Sequence, residues 1–262
     1  NAASKSIGEM MREGKKDEAE AAKERVRAIN EELDEVSAKR EAVDAEHPDA
    51  ALVCTAPLAH AAVIGALLDH DLPVFTELNL VSDGYRENIA KAAAKKLPLF
   101  LSSTMLYRRE TQYIKQQVAE FGKPVHYIYH IGQYLPDWHP WENYKNFFVG
   151  NARTGGVREI FGIDLPWLLD AFGDVESVTV QKDTISDLGL PYPDCVTLLL
   201  RHKGGVQGVL AADVVSRKAV RSFECFGDGI HLFWEGNPKA LYEFKDGDKR
   251  FVNTYASFEH DS

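Results

Sequence analysis

The sequence predicts a chain of mixed α/β and α+β class. A partial parallel sheet leads into a largely antiparallel β-sheet domain, and both stand behind an N-terminal helical hairpin of coiled-coil type. Three observations carry this prediction. Between His47 and Ser103, short apolar runs alternate with amphipathic stretches in the order strand, helix, strand, helix, strand, and that order demands a parallel sheet with right-handed crossovers. From residue 125 onward, strand-like runs follow one another with one helix between them. Before His47, about half of the residues are charged and no aromatic residue occurs.

Taken in order, the elements read as follows. Val26, Ile29, Leu33, Val36 and Val43 recur at steps of three, four, three and seven, the a/d seam of a coiled coil. Gly14 breaks the pattern, and Asp17, Glu18 and Glu20 favour a helix restarting there. ALVCTAP (51–57) is a buried strand, HAAVIGALLDHD (60–71) a short helix, and PVFTEL (73–78) a second strand. DGYRENIAKAAAKK (83–96) is a helix with Asp83 near its cap, and LPLFLSS (97–103) a third strand. A helix over about 106–121 precedes strands at 125–134, 175–183, 195–202, 205–215, 221–227 and 229–236, with one helix at about 157–172. KGG (203–205) is a hairpin turn. Three segments follow: a coiled-coil arm (1–46), a partial parallel α/β domain (47–105) and an α+β domain (106–262).

The bulk properties narrow the function. The chain has 262 residues, 45% apolar and 27% charged, and a net charge of −10 that argues against nucleic acid or an anionic membrane as partner of the whole chain. Its three cysteines, Cys54, Cys195 and Cys225, give neither a disulfide framework nor metal-ligand spacing, so a reducing, cytoplasmic setting and no metal are expected. No apolar run reaches membrane-spanning length and no signal peptide opens the chain, which starts at Asn1 as a fragment would. In a parallel sheet, ligands sit beyond the carboxyl ends of the strands, which puts Thr55 to His60 and Glu77 to Asn79 on one rim.

Two families are resembled. SKSIGEMMREGKKDEAEAAKERVRAINEEL looks like the coiled-coil arm of bacterial seryl-tRNA synthetase, and the resemblance implies a tRNA contact by residues 1–46. CTAPLAH (54–60), VFTEL (74–78) and TGGVREIFGID (154–164) resemble, in order, three motifs of the Gfo/Idh/MocA oxidoreductases, over residues 48 to about 250. That resemblance implies a Rossmann-like first domain, NAD or NADP as cofactor, a sugar-like small-molecule substrate and a homo-oligomer. It also implies cofactor contacts from Thr55, Pro57, His60 and Glu77.

The departures from that family matter as much. Its proton-transferring lysine falls on Leu78, and its later aspartate and histidine fall on Ile160 and Asp164. A leucine exchanges no proton. Asp164 occupies the histidine's place and could act as base, with Glu159 and Arg158 beside it; solvated helix residues are the alternative reading of Glu159 and Asp164. No Gly-x-Gly-x-x-Gly follows a strand, so the turn that holds a dinucleotide pyrophosphate is missing from these residues. A chimera or misjoined fragment with its junction near Glu46–Asp49 is therefore expected, its sheet exposing apolar surface.

QYLPDWHPWENYKNFF (133–148) is the richest recognition stretch. Tyr134, Trp138, Trp141 and Tyr144 suit stacking on sugar faces, with Arg158 as a further substrate contact, and His139 is the one imidazole of the stretch. Packing of the loop on the sheet is the alternative for each ring. The sequence thus points to an NAD(P)-dependent oxidoreductase of a sugar derivative, impaired by the missing turn, with Asp164, His139 or Glu159 in the acid–base role. A non-catalytic sugar or sugar-nucleotide binder and a tRNA-binding arm are the alternatives.

Overall fold

A computed structural model of the chain describes residues 45–255. The coiled-coil reading of residues 1–46, and the tRNA contact with it, falls outside this range but for its last two residues. The described chain divides into two compact units. One holds the chain up to Val53 with Ala61–Phe75 and Gly84–Leu99, and the other holds Cys54–His60, Thr76–Asp83 and everything from Phe100.

The first unit is built on a three-stranded sheet in the order β1 (Ala51–Val53), β2 (Val74–Thr76), β3 (Leu99–Leu101). Helices α1 (His60–Asp69) and α2 (Tyr85–Lys95) are its crossovers. Val53, Val74, Ile64, Leu68 and Ala92 form a small core between sheet and helices. The alternate residues Leu52, Phe75 and Phe100 are partly or largely exposed, Leu52 at 76%. Helix α2 starts two residues later than the sequence suggested, because Gly84 takes the left-handed cap position. Asp83 caps nothing there; its carboxylate is 2.5 Å from the Arg153 guanidinium.

The second unit is an eight-stranded sheet backed by helices α3 (Arg109–Phe121) and α4 (Gly156–Phe172). The strands are β4 (His126–Gly132), β5 (Val175–Asp183), β6 (Cys195–His202), β7 (Gln207–Asp213), β8 (Val220–Gly227), β9 (Ile230–Trp234), β10 (Leu241–Lys245) and β11 (Asp248–Phe251), arranged 11-10-9-8-4-7-6-5. All pairs are antiparallel except β4 with β7, which is parallel over His126–Gly132 and Gln207–Asp213. The parallel pair arises because the β5–β6–β7 meander returns to β4 only after helix α4 has carried the chain across. The hairpin β10–β11 was not foreseen; LYEFK and DKRF are short and half charged, which hides their alternation.

Strand alternation builds the core. Tyr127, Tyr129 and Ile131 of β4 point to the helices, as do their cross-strand partners Cys225, Phe223 and Leu210. Trp167 of α4 meets Tyr129 edge-on at 5.5 Å and Phe223 at 5.1 Å, and Phe172 stacks on Tyr127 at 4.6 Å. With Trp167 1% exposed, truncating it to alanine costs about 3–5 kcal/mol. This core fixes the face of α4 that carries Asp164, and so fixes where Glu159 points. No helix among the described residues is long and apolar enough to cross a membrane.

Candidate functional site

The candidate site lies within the second unit, where the strand-end loops 54–60 and 76–83 accompany the start of α4. The loop after β2 is tied down at several points: Ser102 N–H donates to Thr76 O, the Arg158 guanidinium donates to Leu80 O at 3.4 Å, and Arg153 pairs with Asp83. Leu78 closes the gap to α4. A Cβ added to Gly162 would lie 3.1 Å from Leu78 Cδ1, so the glycine is what lets the leucine seat on the helix. Leu78 is therefore packing, one helical turn from Glu159.

Glu159 is the most chemically suggestive group. Its Oε2 is buried without a hydrogen-bond partner. Burial, and after it the negative charge of Glu77, push its carboxyl up to about 7. It lines a cavity of about 410 Å³ together with Trp138, Gln133, Arg221 and Glu235. Trp138 Nε1 is also buried and unpartnered, so two of the side chains that line this wall each carry an unmet polar atom.

Asp164 sits behind that wall rather than on it. It is 0% exposed, and its Oδ1 accepts hydrogen bonds from Tyr129 Oη at 2.6 Å and Trp167 Nε1 at 3.2 Å. Its Oδ2 faces Arg221 Nη2 at 3.1 Å. Burial raises its pKa, and the Arg221 charge and the two hydrogen bonds offset part of that rise. Burial and the Asp164 charge hold the Tyr129 hydroxyl well above its ordinary value, so Tyr129 stays a donor. A carboxylate so engaged anchors Arg221, whose Nη1 also points to Met105 Sδ at 2.9 Å.

The start of α4 is set by Tyr192. Its hydroxyl accepts from Gly156 N–H at 3.0 Å and donates to Val149 O at 2.6 Å. Its ring lies against Gly155, where an added Cβ would be 2.5 Å from Tyr192 Cε1. The loop bearing Tyr192 is pinned by Asp194, which accepts from Ile185 N–H, Ser186 N–H and Ser186 Oγ.

The strand-end residues are distributed as follows. His60 is 2% exposed, with Nδ1 2.6 Å from Asn79 Oδ1 and Nε2 2.7 Å from Thr55 O, so both ring nitrogens are committed to joining the two rim loops. Thr55 Oγ1 is buried and unpartnered. Pro57 borders a second cavity, of about 580 Å³, with Ala56, Leu58 and the segment 145–154. Glu77 is exposed.

The aromatic loop splits. Of its rings, Trp138 alone lines the cavity of about 410 Å³. Tyr134 lies under the Arg217 guanidinium at 3.6 Å, and the Tyr144 hydroxyl donates to Leu188 O at 2.9 Å. His139 stands edge-on to Trp141 and Phe147, and Trp141 is 78% exposed. Sequence reasoning missed Arg221, Glu235 and Tyr192. Of these, Arg221 carried the one available signal, a charged residue opening the strand run RSFECFG (221–227). No group of three or more His, Cys, Asp or Glu among the described residues could hold a metal ion.

The chain matches no protein-family profile and no curated protein. Its fold does match solved structures. UDP-N-acetylglucosamine 3-dehydrogenase GnnA from Acidithiobacillus ferrooxidans is 18% identical, with a TM-score of 0.63 over 78% of this chain and 63% of that one. An NAD binding oxidoreductase from Klebsiella pneumoniae is 18% identical, with a TM-score of 0.64 over 81% and 62%. An inositol dehydrogenase homolog from Azotobacter vinelandii, complexed with NAD+, is 15% identical, with a TM-score of 0.65 over 78% and 57%. The chain spans less than two thirds of the length of each. It has the α/β, Rossmann-like fold of these dehydrogenases.

Proposed function

We propose that the chain is part of an NAD-type oxidoreductase acting on a hydroxyl-bearing carbon of a sugar or sugar derivative. One observation carries the reading: a carboxyl with a pKa near 7 and an unmatched buried oxygen, Glu159, on the wall of a cavity beside a strand-end glutamate. A general base works best when its pKa lies near the operating pH. The fold of the NAD-binding neighbours is the second support.

Residues 47–105 supply the strand-end rim in this reading, and residues 106–262 the substrate cavity. The rim fits the ring end of a dinucleotide, since Thr55 has an orphaned hydroxyl and Pro57 borders a cavity. The pyrophosphate is another matter: these 262 residues hold no Gly-x-Gly-x-x-Gly after a strand, so binding is weak or depends on further chain. A bound nicotinamide would supply the hydride acceptor.

The chain's own residues would do the rest. Trp138 Nε1 donates to a substrate oxygen, and the ionised Glu159 takes the proton of the hydroxyl being oxidised, to a carbonyl. Glu77 keeps Glu159 basic enough to take it. Asp164 positions Arg221 and makes no contact with substrate. His139, held between Trp141 and Phe147, and the other loop rings shape the approach to the cavity. Leu78 separates this arrangement from one built on a lysine. It also favours the second reading, a sugar-binding protein without turnover.

Fluorescence titration with NADH and NADPH tests the reading. Saturable binding, weakened by Thr55→Val and unchanged by Glu159→Gln, is expected. A folded chain that binds neither nucleotide removes the oxidoreductase reading for these residues and leaves the sugar-binding one.

A further inference from the structure

The cavity beside Glu159 has an uneven balance of charge. Two carboxylates reach its wall from separate elements, Glu159 from α4 and Glu235 from the β9–β10 turn. Glu235 makes backbone hydrogen bonds to Ala240 and Asn237, but its carboxylate has no hydrogen-bond or ion-pair partner among the described residues. The cation on the same wall is Arg221, and its charge is matched from behind by Asp164 at 3.1 Å. An anionic ligand would thus meet the Glu235 carboxylate and a guanidinium already paired. A ligand with a positive charge would meet an unpaired carboxylate at one side, with the Trp138 and Glu159 side chains on the same wall. The volume, about 410 Å³, suits a single sugar or cyclitol ring.

We propose that this cavity takes a polyol ring carrying a free ammonium group, such as an amino sugar or an aminocyclitol, and that Glu235 is the residue that selects it. The proposal rests on the oxidoreductase reading for the role of Glu159, and it narrows the substrate class of that site. Glu159 handles the hydroxyl, Glu235 the ammonium. Sugar acids and sugar nucleotides are disfavoured, because each adds negative charge to a wall with no free cation to receive it.

Four probes at pH 6.5 test this by calorimetric titration of the full chain: D-glucosamine, D-glucose, N-acetyl-D-glucosamine and D-glucuronate. One solvent-accessible charge pair is worth a factor of about five, so glucosamine should bind about fivefold tighter than glucose. N-acetylation, which removes the charge, should cancel the gain, and glucuronate should bind more weakly than glucose. In Glu235→Gln, glucosamine should fall to the affinity of glucose. The position is exposed, and the acetylated probe asks the same question of the unaltered protein. Equal affinity for glucosamine and glucose overturns the proposal, as does tightest binding of glucuronate or binding of none of the four. NADH titration of the same preparation separates the two claims. Amine preference without NADH binding removes the oxidoreductase reading and keeps the selectivity of the cavity; NADH binding without amine preference does the reverse.

Discussion

Replacing Glu159 with glutamine should change how the stability of the fold depends on pH. In the unfolded chain a glutamate titrates near its ordinary 4.5, and in the fold Glu159 titrates at about 7 because burial and Glu77 disfavour its charge. The folded state therefore holds the proton more tightly. The sign follows: the stabilisation is fully present below about pH 4.5 and is lost as pH rises through about 7. At roughly 1.36 kcal/mol per pKa unit the loss approaches about 3 kcal/mol, and partial solvent exposure of the side chain brings it nearer about 2 kcal/mol. For a chain of this size that is a fall of about 4–8 °C in Tm. Glu159→Gln keeps the shape and never ionises. The assay is a set of thermal melts of both proteins from pH 4 to pH 8.5, read as the difference in Tm, which cancels every group common to the two. The wild type should fall relative to the variant between pH 5 and pH 8. A difference that is flat across that range, or centred near 4.5, would mean that Glu159 titrates as an ordinary exposed glutamate.

Three further perturbations probe the same construction. Leu78→Lys places an ammonium against α4 one turn from Glu159, so the Glu159 midpoint should drop by about 1–2 units in a carboxyl-detected NMR titration. Asp164→Ala leaves the Arg221 charge without its partner and two buried donors unmet, and should cost about 3–5 kcal/mol in chemical denaturation. Gly155→Ala drives a methyl group into the Tyr192 ring and should cost about 1–3 kcal/mol, seen as a lower denaturation midpoint.

Much of the fold was legible because its signals are local. The strands 175–183 and 195–202 stand where their β-branched and apolar runs put them, and helix α4 begins one residue from the expected position. What the sequence hid is set by tertiary contacts. The parallel β4–β7 pair depends on which strands meet after a long excursion, and no window of residues contains that. The site divides in the same way. The strand-end rim and the α4 segment were visible as patterns, but whether Glu159 or Asp164 faces a cavity depends on the packing of Trp167, Tyr129 and Phe223. Two carboxylates five residues apart have opposite fates for that reason: one is saturated with donors, the other is left with an unmet oxygen. Leu78 looked like a loss of function in the sequence, and the structure gives it a seat on Gly162.

The most direct measurement is the ionisation midpoint of Glu159 itself. Glutamate side-chain carboxyl carbons can be followed by NMR through a pH titration of the wild type, with the resonance assigned by its absence in Glu159→Gln. A midpoint at about 7 is expected, moving down in Glu77→Gln as the neighbouring charge is removed. A midpoint near 4.5, unmoved by Glu77→Gln, would contradict it.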